Sequence, residues 1–448
     1  MTAGVAPGRA EQAGPRDTSL PATGPADRIW SIPDRSVVLP GHRQLLAAVH
    51  RTLRAGEPAL LSTDGARTGT GATTTAIEFA HRHARDYEVA WWIPAADPEL
   101  VPIELATLAE ALGLARVTDD AEAATSRLLD ALRHRDRYLL VFDDTENPRQ
   151  LARFLPAGAG DVVIVSPDPD WRTYATAHPV RPFTRAESVA LLRARRPDLP
   201  VDAADRVAAA LEDLPLAVDP AAALLAESGM DVEQLLRRLL DRIGHGDRSD
   251  PAVAIWDVTF DRLAAEDPAA LALLTLVAWL GPEPMPLRLV VDHPHALPRT
   301  LADTVRDPAA FDRLTTGLRL RGPARTTPAS VALHRVPAAL LMARTAGEHP
   351  GDAVDGWAGA AIRLLQAAVP ADPDVPATWT TWRRLLPLVL TATDPARRLD
   401  GADADAGWLL GRAARYLHAR GQRRAAARLS RDANDLCAAR RSSEERST

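Results

Sequence analysis

The sequence predicts an α/β domain with a parallel sheet, followed by modules that are mainly helical. Between Glu57 and Trp92, an apolar run, a Gly-rich turn, a segment of helical period and a second apolar run follow one another. A phosphate-loop βαβ unit has the same order of strand, Gly-rich loop, helix and parallel strand. Apolar runs at Arg137–Asp144 and Asp161–Ser166 predict further buried strands of this sheet. After residue 184, apolar residues recur mostly at helical spacing, which predicts helices.

The Gly-rich turn departs from the phosphate-loop pattern G-x-x-x-x-G-K-[ST]. In that pattern, backbone N–H groups cradle phosphates, Lys reaches the β and γ oxygens, and the hydroxyl holds Mg²⁺. The aligned residues run from Ala66 to Thr73, so Ala66 replaces the first Gly and Ala72 replaces the Lys. Gly69, Gly71 and Thr73 are retained. The chain contains no Lys anywhere, so no other alignment restores the missing cation.

Two acids end the predicted strand Arg137–Asp144. An apolar strand that ends in two acids has the form of a Walker B strand, in which Asp143 would hold Mg²⁺ and Asp144 would orient an attacking water. An Asp after an apolar strand can also be a simple turn or helix cap. The position downstream of a phosphate-like loop favours the Walker B interpretation.

Length and composition bound the remaining possibilities. A chain of 448 residues is long enough for about three domains. Its net charge of −6 gives no indication of binding to nucleic acid or to an acidic membrane. One Cys excludes an intramolecular disulfide, and neither an apolar run of spanning length nor a secretory signal is present. These features predict a cytoplasmic protein.

The chain divides into five predicted segments. A disordered tail, rich in Ala, Gly, Pro, Ser and Thr, covers residues 1–28, and the phosphate-loop domain covers 29–183. A helical domain at 184–248 ends in a polar, turn-rich stretch. Residues 249–347 show helices and then a short hairpin at Ser330–His334, as in a winged helix. Residues 348–448 form a helical region whose last two helices resemble one tetratricopeptide unit.

Several stretches resemble the NB-ARC/STAND class of nucleotide switches, in the actinobacterial form that carries C-terminal tetratricopeptide repeats. RYLLVFDDTENP resembles the Walker B region, and VVIVSPDPDW occupies the place of the sensor strand. LEDLPLAVDPAAALLAES resembles the GLPLA motif with its helix, and VALHRVPAALL resembles the histidine motif. The resemblance extends roughly from Trp30 to Arg440 and implies a STAND fold.

The resemblance implies a site for ATP or ADP with Mg²⁺, between the phosphate-loop domain, the helical domain and the winged helix. Asp143 would lie near Mg²⁺ together with Thr73, and Asp144 near the water. His334 would contact the β-phosphate, although a lone His at a strand end is also commonly structural. The remaining nucleotide-binding residues implied are Gly69, Thr70, Gly71, Ala72, Thr73, Thr74, Arg43 and Pro215. The resemblance also implies an open, oligomeric state, so the expected partners are other proteins or copies of this chain.

Departures from the family pattern decide the predicted function. Ala72 removes the loop cation, and Pro167 follows Ser166 where the family has a sensing Arg. Losing one group that stabilises the charge of the transition state lowers the reaction rate by about 10²–10³-fold. We therefore predict a regulatory scaffold or protein-interaction module in which ATP hydrolysis is lost. Backbone donors, the helix N-terminus and the remaining acids leave binding of ADP or ATP open.

Two alternatives stay open on the sequence. In the first, Arg67 substitutes for the missing Lys and the chain is a working ATP/ADP-dependent switch. In the second, the winged helix reads DNA, since that module can do so. The absence of a basic cluster with base-reading residues favours a packing role for the winged helix and makes nucleic acid an unexpected partner.

Overall fold

The computed structural model describes residues 28–35, 41–63, 69–243, 250–321, 324–348, 356–397, 399 and 401–447. The predicted tail therefore lies, except for Arg28, outside the described residues. Ala66 and Arg67 of the Gly-rich turn also lie outside them, as does most of the turn-rich stretch at the end of the predicted helical domain.

Six parallel strands form the sheet in the order β1-β3-β4-β5-β2-β6. The predicted strands are present as β2, β3, β4 and β5, and their apolar runs are buried because helices cover both faces. The register places Asp143 beside Pro94, and Ser166 beside Ser62, at one edge of the sheet. The strands are β1 Ile29–Trp30, β2 Ala59–Ser62, β3 Val89–Pro94, β4 Tyr138–Asp143, β5 Asp161–Ser166 and β6 Thr176–Pro179.

Helices cover the two faces of the sheet with separate apolar cores. On one face, alternate strand residues such as Leu60 and Leu140 pack against α3 and α4. On the other face, residues such as Leu61 and Val141 pack against α1 and α2. Because successive strand side chains point to opposite faces, one apolar run supplies both cores. The helices are α1 Arg43–Arg54, α2 Ala72–Arg82, α3 Val101–Ala111, α4 Ala121–Leu132 and α5 Pro148–Leu151.

Four helices follow the sheet where the helical domain is predicted. The first begins at a capping box, in which Thr184 and Glu187 satisfy each other's backbone donors. The third begins at Pro215, five residues before the predicted start at Pro220, because Pro is well accommodated in the first helical turn. These helices are α6 Arg185–Arg195, α7 Val201–Ala210, α8 Pro215–Glu227 and α9 Val232–Ile243.

The next segment combines six helices with a three-stranded antiparallel sheet of order β7-β9-β8. Helices followed by a small hairpin are the order predicted for a winged helix. The sequence did not predict the helices α13 and α15. The elements are α10 Pro251–Glu266, α11 Pro268–Leu280, β7 Met285–Pro286, α12 Leu287–Asp292, α13 Arg299–Arg306, α14 Pro308–Arg321, β8 Arg325–Thr326, β9 Ser330–Ala332 and α15 Arg335–Thr345.

The C-terminal region is helical, as predicted. It consists of α16 Gly356–Ala368, α17 Trp379–Ala392, α18 Asp403–Ala419 and α19 Arg423–Ser447. The last two helices form the predicted hairpin around Arg420 and Gly421. One apolar core runs continuously from α6 to this hairpin, so the helical modules are packed together. Within the described ranges, no helix is both long and apolar enough to cross a membrane.

Candidate functional site

A cavity of about 620 Å³ lies at the carboxyl ends of strands β3, β4 and β5. One wall is the retained part of the Gly-rich loop with the start of α2, and another is the β8–β9 hairpin with the start of α15. Helix α17 closes the cavity from the C-terminal side. Ligands of open α/β sheets bind at this edge, so the cavity coincides with the position predicted for the nucleotide.

The Gly-rich loop turns into α2 through two glycines of positive φ. Gly69 has φ +91° and Gly71 has φ +88°, a backbone region that other residues enter only at a cost. The first turn of α2 contains no acidic residue of its own, and the positive end of the helix dipole faces the cavity. The loop also packs on the GLPLA-like segment, since Leu216 donates its N–H to the Gly69 carbonyl at 3.3 Å.

Thr73 and Asp143 meet at the floor of the cavity. The Thr73 hydroxyl donates a hydrogen bond to Asp143 Oδ1 at 3.0 Å. Burial raises the pKa of Asp143 to about 6, although the Thr73 hydrogen bond and the charges of Arg335 and Arg325 oppose the rise. A hydroxyl beside a carboxylate is the pair that, with phosphate oxygens, holds Mg²⁺ in phosphate-loop proteins. These two residues therefore fit the predicted metal position.

Asp144 is held by a contact that the sequence did not predict. The residue has φ +65°, which Asp tolerates better than most residues, and its carboxylate forms an ion pair with Arg335 at the start of α15. The ion pair engages Oδ2 of Asp144 and leaves Oδ1 as the oxygen that could still accept from a water. The ion pair therefore joins the end of β4 to the start of α15, and the role predicted for Asp144 stays a prediction.

The sensor position is also occupied by local structure. The Ser166 hydroxyl donates to the Thr145 carbonyl and accepts a hydrogen bond from the Asp168 N–H at 3.0 Å. Ser166 and Pro167 line the cavity, but neither carries a charge that could sense a γ-phosphate. The sequence-based expectation that the sensor strand persists without its Arg agrees with this geometry.

Among the described residues, the arginines that line the cavity all come from the C-terminal half of the chain. Arg325 lies on β8, Arg335 begins α15 and Arg383 lies on α17. Arg325 faces Asp143 and Glu283, and among the described residues its guanidinium forms no hydrogen bond. The sequence analysis missed Arg325. The available signal was its place in the hairpin that carries the histidine motif, where it pairs with Ala332 two residues before His334.

Carboxylates outnumber these cations. The acids that line the cavity in the described chain are Asp97, Glu104, Asp143, Asp144, Glu283 and Asp394, against three arginines. Burial raises the pKa of Glu104 to about 7, and the pKa of Glu283 also rises to about 7 through burial and repulsion from Asp143 and Glu104. Such an acidic lining accepts a polyphosphate best when Mg²⁺ accompanies it.

His334 caps α15 and lies in the cavity wall. Its Nδ1 accepts a hydrogen bond from the Val336 N–H at 3.4 Å. Burial, with a contribution from Arg325, lowers the pKa of His334 to about 4, so the ring is neutral at pH 7. Because Nδ1 accepts, the proton resides on Nε2, and the ring offers one uncharged donor.

The other predicted nucleotide residues are distributed unevenly. Thr70 and Ala72 line the cavity with the two glycines. Thr74 is half-buried on α2 and does not line the cavity. Pro215 lies beside the loop, where a Cβ added at Gly71 would be 3.7 Å from the Pro215 ring. Arg43 is exposed at the start of α1 and stays away from the cavity. The nucleotide-binding roles of all these residues stay predictions.

The C-terminal region is fixed to the phosphate-loop domain by arginine–carboxylate contacts. Glu110 on α3 accepts from Arg383 and from Arg420, each at 2.9 Å. Arg428 binds Asp97 and also Glu99, the latter at 3.3 Å. Asp97 and Arg383 line the cavity as well. The same side chains thus belong to the cavity wall and to the interface with the C-terminal helices.

Comparison with known proteins supports the fold. No protein-family model matches the sequence, and no curated protein matches it. The structure resembles that of a signal transduction ATPase with numerous domains, a STAND protein with a tetratricopeptide repeat sensor, from Pyrococcus horikoshii. The TM-score is 0.52 at 10% sequence identity, and the match covers 92% of this chain and 66% of that one.

A second similar structure is a Walker-type ATPase of Pyrococcus abyssi. It matches 69% of this chain and 97% of its own, with 13% identity and a TM-score of 0.32, which is too low to carry an argument. The first match confirms the predicted fold class, an α/β domain with a parallel sheet followed by helical modules and a helical C-terminal region. At 10% identity it shows the fold alone, and this chain spans just under two thirds of that protein's length.

Proposed function

We propose that this chain is a STAND-type regulatory scaffold that binds ADP or ATP with Mg²⁺ in the described cavity and does not turn ATP over. Protein partners, or further copies of this chain, would bind when the helical modules separate from the phosphate-loop domain. The observation that carries the proposal is the ion pair of Asp144 with Arg335, in a chain where Ala72 stands at the place predicted for the loop Lys.

The missing groups explain why turnover would be lost while binding persists. Hydrolysis needs a cation on the β and γ oxygens and a base that positions water. Ala72 supplies no cation, and Asp144 is bound to Arg335. Binding needs less, because the N-terminus of α2 and the backbone donors near Gly69 and Gly71 suffice to hold a phosphate. The Thr73–Asp143 pair would hold Mg²⁺.

The hairpin segment would complete the phosphate site. Arg325 lies half-buried in the cavity wall, and His334 offers a neutral Nε2 donor. Both residues come from the segment that bears Arg335, so a bound diphosphate would connect the hairpin to the phosphate loop. A bound diphosphate would therefore favour the arrangement in which the hairpin packs against the phosphate loop, because it binds that arrangement more tightly than a separated one.

Binding and turnover are separated by calorimetry and a phosphate-release assay on the full chain. We expect ADP to bind more tightly with Mg²⁺ than without it, because Mg²⁺ offsets the acidic lining. We expect phosphate release from ATP to stay at the level of an Asp143→Asn variant. Ala72→Lys is the matched gain variant, and it should tighten ATP binding by supplying the absent charge. ATP hydrolysis that depends on Asp143 would overturn the loss of turnover, and absence of any nucleotide binding would overturn the cavity assignment.

A working ATP/ADP-dependent switch is the second candidate, and the Thr73–Asp143 pair favours it. In that case a substitute cation must act in catalysis. Arg67→Ala and Arg325→Ala then give different results. Substituting the arginine that supplies the cation should abolish turnover, and substituting the other arginine should not. If neither variant lowers a measured turnover, the substitute-cation explanation fails.

A further inference from the structure

A cluster of three potential metal ligands lies at the opposite end of the sheet from the cavity. His50 is near the end of α1, His83 follows α2, and Asp86 ends a 3-10 turn just before β3. Helix α2 begins at the carboxyl end of β2 and runs back along the sheet, so its end reaches the amino ends of the strands. None of these three side chains takes part in the nucleotide proposal.

The ligand atoms of this cluster converge. Asp86 Oδ2 lies 3.4 Å from His83 Nδ1 and 3.9 Å from His50 Nε2. The two imidazoles stack with a centroid separation of 4.2 Å and an interplanar angle of 17°, so one ring must turn before both in-plane nitrogen lone pairs point at one ion. Among the described residues, this is the group of His, Cys, Asp or Glu side chains whose three ligand atoms all lie within 4.8 Å of one another.

These separations are close to those of a tetrahedral metal site. Zn²⁺ binds His nitrogen and carboxylate oxygen at about 2.0–2.2 Å, which sets neighbouring ligand atoms about 3.3 Å apart. The His83–Asp86 distance of 3.4 Å already meets this value, and the His50–Asp86 distance of 3.9 Å needs a shift of about half an ångström. A rotation of the half-buried His50 side chain would supply such a shift and would also unstack the two rings.

His50 Nε2 is an unsatisfied buried polar atom in the described structure, where it has no hydrogen bond. A buried polar atom without a partner is costly, and a bound metal would satisfy it through the lone pair of the neutral ring. One guanidinium is nearby: Arg54 Nη2 lies 3.9 Å from Asp86 Oδ2. The Arg54 side chain is 66% exposed, so it can withdraw into solvent.

We propose that His50, His83 and Asp86 bind one divalent transition-metal cation such as Zn²⁺, with water in the fourth position. The cation would join α1, the end of α2 and the turn that enters β3. Three protein ligands of mixed imidazole and carboxylate type suit Zn²⁺ better than Mg²⁺, which prefers oxygen ligands. The site would stabilise the amino-terminal edge of the domain independently of any nucleotide.

Titration of the full chain with Zn²⁺, and with Co²⁺ as a spectroscopic probe, tests the site. We expect one bound ion and the visible absorption bands of tetrahedral Co²⁺. His50→Gln and His83→Gln should each weaken binding by at least about tenfold. The matched control His134→Gln, at an exposed position on another face, should leave the affinity unchanged. Arg54→Gln should tighten binding, because it removes a like charge.

Two results would overturn the site. One is an absence of specific Co²⁺ or Zn²⁺ binding by the folded wild-type chain. The other is binding that both His→Gln variants leave intact while circular dichroism shows that they are folded. ADP affinity is measured in parallel on the same variants, and it should not change, so a failure of the nucleotide proposal is distinguishable from a failure of the metal site.

Discussion

Replacing Glu110 by Ala should loosen the C-terminal helices from the phosphate-loop domain. Glu110 accepts from both Arg383 and Arg420 at 2.9 Å, and only 2% of the Arg420 side chain is exposed. Arg420 Nε and Nη1 have no hydrogen-bond partner in the described structure, although the guanidinium lies 5.2 Å from the Trp379 ring centre. Without Glu110, a buried cation loses the carboxylate that it contacts.

The expected magnitude follows from this burial. Removing one partner of a buried ion pair costs about 3–5 kcal/mol, because the other charge stays buried and unpaired. The Arg206–Glu233 pair provides a control of the same chemistry, and both of its side chains are more than half exposed. Exposed pairs contribute about 0–1 kcal/mol, so Glu233→Ala should have little effect.

Native-state hydrogen exchange is the suitable assay, since a chain with several packed modules need not unfold in one step. A loss of 3–5 kcal/mol corresponds to roughly 10²- to 10⁴-fold lower protection of amides in α3 and α18. Glu233→Ala should change protection by less than about tenfold. If Glu110→Ala lowers protection at this interface no more than Glu233→Ala does, the ion pairs do not hold the C-terminal region in place.

Three further predictions concern the cavity and its loop. Burial raises the pKa of Glu283 to about 7, so the wild-type chain should lose up to about 3 kcal/mol of stability as pH rises from below 4.5 through 7. Glu283→Gln should remove this pH dependence. Urea midpoints of both chains at pH 5 and pH 8 measure the difference. Gly69→Ala should lower the free energy of unfolding more than Gly56→Ala. Both glycines have positive φ, but only at Gly69 would an added Cβ contact Leu216, at 3.1 Å. Equal urea midpoints of the two variants would contradict this reasoning. His334 should stay neutral with its proton on Nε2 down to about pH 5, as nitrogen-15 NMR of the ring would show, and a charged ring at pH 6 would contradict the burial argument.

The central sheet could be predicted because its signals are local. Each inner strand is an apolar run that both faces bury, and Asp161–Ser166 has the predicted bounds. The edge strands escaped prediction for the complementary reason. β1 contains two residues, and β6 is the half-exposed segment Thr176–Pro179, which lacks an apolar run. Pairing with an already formed sheet, rather than residue pattern, makes them strands.

The candidate site was predictable on its phosphate-loop side and not on its opposite wall. Thr73 and Asp143 follow fixed positions in a motif, and the structure brings them within 3.0 Å. Arg335, by contrast, is 191 residues from Asp144 in the chain, and no spacing rule connects the two. Contacts of this kind arise from how modules pack, and single-sequence periodicity carries no information about that packing.

The origin of the cavity cations bears directly on how such a scaffold would respond to a ligand. In a phosphate loop with its Lys, the cation and the backbone cradle belong to one rigid element, so phosphate can bind whatever the other modules do. Here the described cations belong to the hairpin, α15 and α17. Under the proposed function, separating those modules from the sheet would withdraw all three arginines from the phosphate, while Asp97, Glu104, Asp143 and Asp144 would stay with the sheet. Nucleotide affinity and module packing would then be linked, and each would strengthen the other by the same coupling free energy.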